Sequence, residues 1–171
     1  NPEATAAAID RDGWFHTGDA GYLKDSHLYL TERIKDLFKT SNGKYISPQA
    51  LETKLAIDRY IDQIAVIADE RKFVSALIVP VYGFVKDYAK EKGIAYSNMD
   101  ELLQHSKIQA LFRARIDTLQ QQFAHYEQVK RFTLLTEPFS MERGELTNTL
   151  KLKRSVVAKN YKGLIDKMYE E

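Results

Sequence analysis

Two apolar, β-branched runs separated by a short charged turn constrain this chain more than any other feature. They are Gln63 to Ala68 (QIAVIA) and Val74 to Val81 (VSALIVPV), divided by Asp69-Glu70-Arg71-Lys72. Runs of this length bounded by turn residues predict a buried antiparallel pair of strands. Such a pair needs cover, and the flanking sequence supplies it. Ile108, Leu111, Phe112, Ile116, Leu119 and Phe123 recur at helical spacing after Ser106, an N-cap candidate, which predicts a long amphipathic helix on the sheet. Val129 to Leu135 reads as a third strand. Ser47-Pro48 starts a helix over 49–57 with Leu51 and Leu55 on one face. Phe84 to Lys92 reads as a helix ended by Gly93, and Met99 to Leu103 as a short one. Ser155 is placed to cap a last helix carrying Val157, Tyr161, Leu164, Ile165 and Met168 inward. The expectation is an α+β fold over residues 34–171, a small three-stranded sheet flanked by helices.

Upstream lies a smaller segment. Asn1 can cap a helix with Pro2 at its first position, running to about Ile9 and ended by Asp10-Arg11-Asp12-Gly13. Trp14-Phe15-His16 reads as a short strand and Thr17-Gly18-Asp19 as a turn. Gly21 to Lys24 and Leu28 to Thr31 form a hairpin around Asp25-Ser26, and the alternation of Leu28 and Leu30 predicts one buried face. Residues 1–33 are too few to fold alone. They read as the distal edge of a large N-terminal domain, and the chain as part of a longer protein. Between the halves, Glu32 to Asp36 is a polar joint. Leu37-Phe38 then resumes the strand pattern, and Ser41-Asn42-Gly43-Lys44 supplies turn chemistry.

Composition narrows the function classes. With 171 residues, 44% hydrophobic, the chain can bury a core. A net charge of +1 gives no global field toward nucleic acid or anionic lipid. The absence of cysteine excludes disulfides and thiolate metal sites and fits a reducing compartment. No apolar run approaches the roughly 20 residues that span a bilayer. The four histidines have no metal-ligand spacing, so no metal site is expected.

Several residues invite chemistry, each beside a plainer reading. Asp19, presented from a glycine turn, can accept two hydrogen bonds from vicinal hydroxyls, or simply close the turn. Arg33 suits a phosphate, or pairs with Glu32 or Asp36. Lys35 is a joint residue or a strand-edge lysine. Gly43 allows backbone to approach a ligand, or makes a plain turn. Lys151 opens a basic run with Lys153, Arg154 and Lys159, which reads as a solvated face or a phosphate-attracting patch.

Three motifs change those readings. GWFHTGD (13–19), LTERIKDLFKTSNGKYISPQALE (30–52) and LTNTLKLKR (146–154) follow one another in the order found in adenylate-forming enzymes. Nearly the whole chain resembles the C-terminal part of an acyl-CoA synthetase of that group, the long-chain fatty acid–CoA ligase branch most of all. The resemblance implies that Asp19 holds the ribose of ATP and that Arg33 reaches ribose or phosphate. It makes Lys35 the hinge and places Gly43 near the pantetheine arm of coenzyme A. The ending resembles the family's Thr-x-Ser-Gly-Lys-x-x-Arg, with Thr147, Thr149, Lys151 and Arg154 in register and Leu150 where glycine is usual. Lys151 is then the catalytic lysine of adenylation, with Lys153 as fallback.

The implied parent converts fatty acid, ATP and CoA to acyl-CoA, AMP and diphosphate through an acyl-adenylate. Mg2+ is bound outside these residues, and the missing N-terminal domain is the main partner. No nucleic acid partner is implied. The location is cytoplasmic, with peripheral membrane attachment left open. The rival reading is a basic binding module, in which the helix from Arg154 to Lys167 and the loop before it grip nucleic acid or an anionic membrane surface.

Overall fold

The computed structural model describes residues 1–170; the side chains of Thr31, Glu32 and Lys35 lie outside the described set. The chain separates into two units, residues 1–37 and 38–171.

The first unit holds α1 (Pro2–Ala8) and a hairpin of β1 (Asp19–Lys24) and β2 (His27–Arg33), followed by a 3-10 turn at Ile34–Asp36. Asn1 caps α1 as expected, its side chain accepting from the Ala4 amide. Asp25 and Ser26 take positive φ at the hairpin tip, and Tyr22 stacks on its cross-strand partner Tyr29 at 5.1 Å. Strand β1 begins at Asp19, two residues before the expected Gly21, and includes a bulge at Ala20/Gly21. There a Cβ on Gly21 would lie 2.5 Å from the Tyr29 carbonyl oxygen, so only glycine fits.

Two expectations fail in this unit. Trp14 to His16 is not a strand; Phe15 makes one bridge to Ile9. The Asp10 carboxylate instead gathers the amides of Asp12 and Trp14 and the His16 ring into a turn, and these bonds hold its pKa below the usual range. Leu28 and Leu30 do not line a buried face: they are 65% and 67% exposed.

The second unit carries the core. A two-residue hairpin, β3 (Phe38–Lys39) with β4 (Tyr45–Ile46), leads into α2 (Pro48–Leu55). Then come β5 (Ile61–Ile67), β6 (Val74–Pro80), α3 (Tyr82–Glu91), α4 (Met99–Gln104), α5 (Ser106–Leu119), β7 (Val129–Leu134), α6 (Arg154–Asn160) and α7 (Lys162–Lys167). The sheet order is β5-β6-β7, with β5 and β6 antiparallel and β7 parallel to β6. A parallel neighbour demands a long crossover, which α3, α4 and α5 provide.

Every residue of β6 is buried, as its unbroken apolar run requires. One face of the sheet, through Ile64, Val66, Val74, Ala76 and Ile78, packs on α2, α3, α4 and α5. The other, through Ala65, Leu77 and Val79, meets Phe139, Leu146, Val157, Ile165 and Met168. The fold is the α+β arrangement that the sequence predicts, a small three-stranded sheet with helices on both faces.

The differences here are local and have causes. Strand β4 has only two residues, too few for a periodic signal. His105, not Ser106, caps α5, its Nδ1 accepting from the Lys107 amide. That helix ends at Leu119 rather than Phe123 because the buried Gln120 side chain leaves it to bind the Val129 amide at 2.8 Å. Ser155 is not a cap, since α6 already begins at Arg154. The last helix is interrupted at Tyr161, and Leu164 faces outward.

Candidate functional site

The sequence-predicted residues fall in three places. In the first unit, Asp19 and Arg33 are ladder partners across the hairpin. Arg33 Nε donates to Asp19 Oδ1 at 3.1 Å, with the arginine largely exposed. The amide of Asp19 is bound to Thr17 Oγ1, and Gly18 takes a φ of +77° to turn the chain into β1. Register therefore joins two residues fourteen positions apart, and Arg33 pairs with Asp19; the Glu32 side chain of the plainer reading lies outside the described residues. Lys35 is the central residue of the 3-10 turn.

Gly43 and Lys151 occupy two hairpin turns built to one plan. In the first, the Thr40 amide donates to the Lys44 carbonyl (2.9 Å), the Gly43 amide to the Thr40 carbonyl (2.8 Å), and the Lys44 amide to Thr40 Oγ1 (3.1 Å). In the second, the Thr147 amide donates to the Lys151 carbonyl (2.8 Å), the Leu150 amide to the Thr147 carbonyl (2.9 Å), and the Lys151 amide to Thr147 Oγ1 (3.0 Å). Each closes on a residue in the left-handed region, Gly43 at φ +73° and Leu150 at φ +60°. The turn thus explains Gly43 conformationally, and an added Cβ there would meet open space. It also explains why glycine suits the place that Leu150 fills. The Gly43 turn is docked on the loop after β5, where the Ser41 amide donates to the Arg71 carbonyl and the Glu70 amide to the Lys39 carbonyl.

Lys151 lies at the exposed end of its hairpin, and no side-chain ion pair or hydrogen bond engages its ammonium among the described residues. Lys153 stands two residues on, beside Thr147, Asn148 and Thr149 in a shallow groove. The nearby arginines are tied down. Arg154 makes two 2.6 Å bonds to the Glu52 carboxylate, whose Oε1 also accepts the Val66 amide, and covers the Phe38 ring. Arg143 binds both oxygens of Glu145 and reaches Glu137 and the Pro138 carbonyl.

Glu145 is 1% exposed, and sequence reasoning missed it. The Ser140 amide and Asn160 complete its partners. Burial pushes its pKa up, but the bonds from Arg143, Asn160 and Ser140 outweigh that and hold it below the ordinary value. A glutamate immediately before the closing motif is its one signal in the sequence.

The basic helix of the rival reading is not a continuous cationic face. It is broken at Tyr161, with Arg154 engaged by Glu52 and Lys162 near Asp166. Among the described residues no group of three or more His, Asp or Glu could hold a metal ion, and no helix is long and apolar enough to cross a membrane.

The second unit is thus a three-stranded α+β domain that carries Lys151 on an exposed surface hairpin. The chain belongs to the AMP-binding enzyme C-terminal domain family, which matches residues 35–171. It is 35% identical over 173 residues to long chain acyl-CoA synthetase 7, peroxisomal, of Arabidopsis thaliana, covering 99% of this chain and 25% of the relative. It is 36% identical over 177 residues to long-chain-fatty-acid–CoA ligase 5 of Rattus norvegicus, with the same two coverages. The chain thus spans about a quarter of the curated relatives it matches. Among solved structures, the adenylation domain of a carboxylate reductase from Mycobacterium chelonae superposes with a TM-score of 0.79 at 25% identity. That match covers 99% of this chain and 25% of the other. The corresponding domain from Segniliparus rugosus, in complex with AMP, gives 0.78 at 23%, covering 98% and 25%, and speaks for the fold alone.

Proposed function

We propose that this chain is the C-terminal part of an ATP-dependent long-chain fatty acid–CoA ligase, which forms acyl-CoA, AMP and diphosphate through an acyl-adenylate. The observation that carries the reading is the unpaired Lys151 ammonium at an exposed hairpin tip, beside arginines already committed to carboxylates. Attack of a carboxylate on the α-phosphate brings together two anions and builds charge on nonbridging oxygens. A fixed backbone with a free ammonium offsets that repulsion in the transition state. Asp19 would accept the ribose hydroxyls, and Arg33, already seated on Asp19, would orient it or reach a phosphate.

Residues 1–33 would belong to the large N-terminal domain, whose surface would cover the exposed Leu28 and Leu30. Residues 34–171 would form the mobile domain turning about Lys35, and the Gly43 turn would border the path of the CoA thiol. Mg2+, bound outside these residues, would neutralise phosphate charge. The fatty acid, ATP and CoA are the small-molecule partners. A cytoplasmic location is the first expectation, and the peroxisomal name of the Arabidopsis relative makes that compartment the alternative to test by localisation.

The decisive experiment uses the full-length enzyme with Lys151→Ala and assays the half-reactions separately. Adenylation is expected to fall about 10³-fold, with thioester formation from supplied acyl-adenylate unchanged. Near-wild-type rates in both steps overturn the assignment and send the test to Lys153.

A further inference from the structure

We propose that Glu145 is the positioning residue of Lys151: its buried carboxylate anchors the base of the lysine's hairpin and so aims the ammonium at the reacting phosphate. The proposal rests on the reading of Lys151 as the adenylation lysine.

The geometry forms a short, continuous route. The Glu145 carboxylate is gripped by the Arg143 guanidinium (3.1 and 3.2 Å), Asn160 Nδ2 (3.1 Å) and the Ser140 amide (3.0 Å). The Glu145 carbonyl accepts the Lys153 amide at 2.8 Å. One rung further, Leu146 bridges Leu152, and Leu146 is buried against Phe139 and Val157. The next rung is the Thr147–Lys151 pair, doubled by Thr147 Oγ1. Buried anchor and exposed lysine are therefore the two ends of a three-rung ladder. A buried carboxylate is an expensive way to fill space, and here three donors meet it, the Ser140 amide and the Arg143 side chain from its own turn and Asn160 from the end of α6. The tip beyond it has no comparable packing, so the aim of Lys151 is set at the base. Displacement of a catalytic group by about 1 Å can cost about 10²-fold in rate.

The test compares Glu145→Gln, Lys151→Ala and the double variant in the full-length enzyme, measuring acyl-adenylate formation by pyrophosphate exchange and thioester formation from supplied acyl-adenylate. Glu145→Gln is expected to lower kcat of adenylation by about 10- to 100-fold, leaving KM for ATP and the thioester step within about 2-fold. In the Lys151→Ala background it is expected to add nothing, because it acts through the lysine. An equal fall in both half-reactions, or the same fall with and without Lys151, makes Glu145 a fold-stabilising residue only and overturns the proposal. If Lys151→Ala leaves adenylation intact, the parent reading falls instead, which the single variant shows independently. Should Glu145→Gln fail to fold, Asn160→Ala, which removes one exposed donor to the carboxylate, carries the same comparison.

Discussion

Leu150 holds a backbone conformation that residues with a side chain avoid, at φ +60°, and the residue is 67% exposed. In that region a Cβ crowds the following carbonyl, at a cost of roughly 1–2 kcal/mol. Glycine removes the crowding but adds about 0.5–1 kcal/mol of unfolded-state entropy. Leu150→Gly should therefore leave the urea midpoint of the chain equal or slightly raised, whereas β-branched Leu150→Val should lower stability by about 1 kcal/mol. Glu145 gives a second prediction at this scale. Its folded pKa is depressed, so its contribution is complete above the unfolded value of about 4.3 and is lost as pH falls through the lower folded value. Arg143→Ala should cost about 2 kcal/mol at pH 7. The gap from wild type should shrink in urea titrations as pH falls through the lowered folded pKa of Glu145, where the carboxylate takes up its proton. A gap independent of pH would assign the loss to Arg143 packing instead.

At the scale of elements, one ion pair holds the second unit's parts in register. Glu52 on α2 accepts two bonds from Arg154 at the start of α6 and one from the Val66 amide on β5. A lysine can make only one of the two arginine bonds and cannot lie flat over Phe38. Arg154→Lys should therefore lower stability by about 1–2 kcal/mol in urea unfolding of the whole chain.

The legibility of elements depends on what made them. Strands β5 and β6 were readable because burial on both faces leaves an apolar run, and Gly93 marks the end of α3 because its φ is +62°. Where a side chain from elsewhere decides the matter, the local pattern misleads. Gln120 stops α5 by bonding Val129, and Asp10 folds Trp14 to His16 into a turn. The alternation at Leu28 and Leu30 is real, but a single hairpin layer within residues 1–37 gives that face nothing to bury against. In the site, Asp19, Arg33 and Lys151 stood out through motif resemblance. The Asp19–Arg33 pairing and the Glu52–Arg154 clamp depend on contacts between distant positions, which no local spacing encodes, and the burial of Glu145 follows from tertiary packing rather than from its local pattern.

At the scale of the whole molecule, the proposed chemistry is divided among parts that no single unit here contains. The 3-10 turn at Ile34–Asp36 ends just before the boundary between residues 37 and 38. Hinges are a few loop or element-terminal residues, since a small number of φ/ψ changes there reorient the chain beyond them. If one domain serves both half-reactions by turning about Lys35, restricting that residue should separate them. Proline fixes φ near about −65°, a value compatible with a 3-10 turn but not with free rotation through other conformations. Lys35→Pro in the full-length enzyme should thus retain adenylation within about 10-fold, while thioester formation falls by about 10²-fold or more, the scale expected when a catalytic arrangement cannot assemble. Residues 1–171 alone should show no turnover in either step, because Asp19, Arg33 and Lys151 would lack the rest of the nucleotide site. Both outcomes are read from the same pair of assays. Equal losses in the two steps would make the turn a structural joint rather than a hinge. Turnover by the isolated chain would place the whole active site within these 171 residues and require a different account of the site.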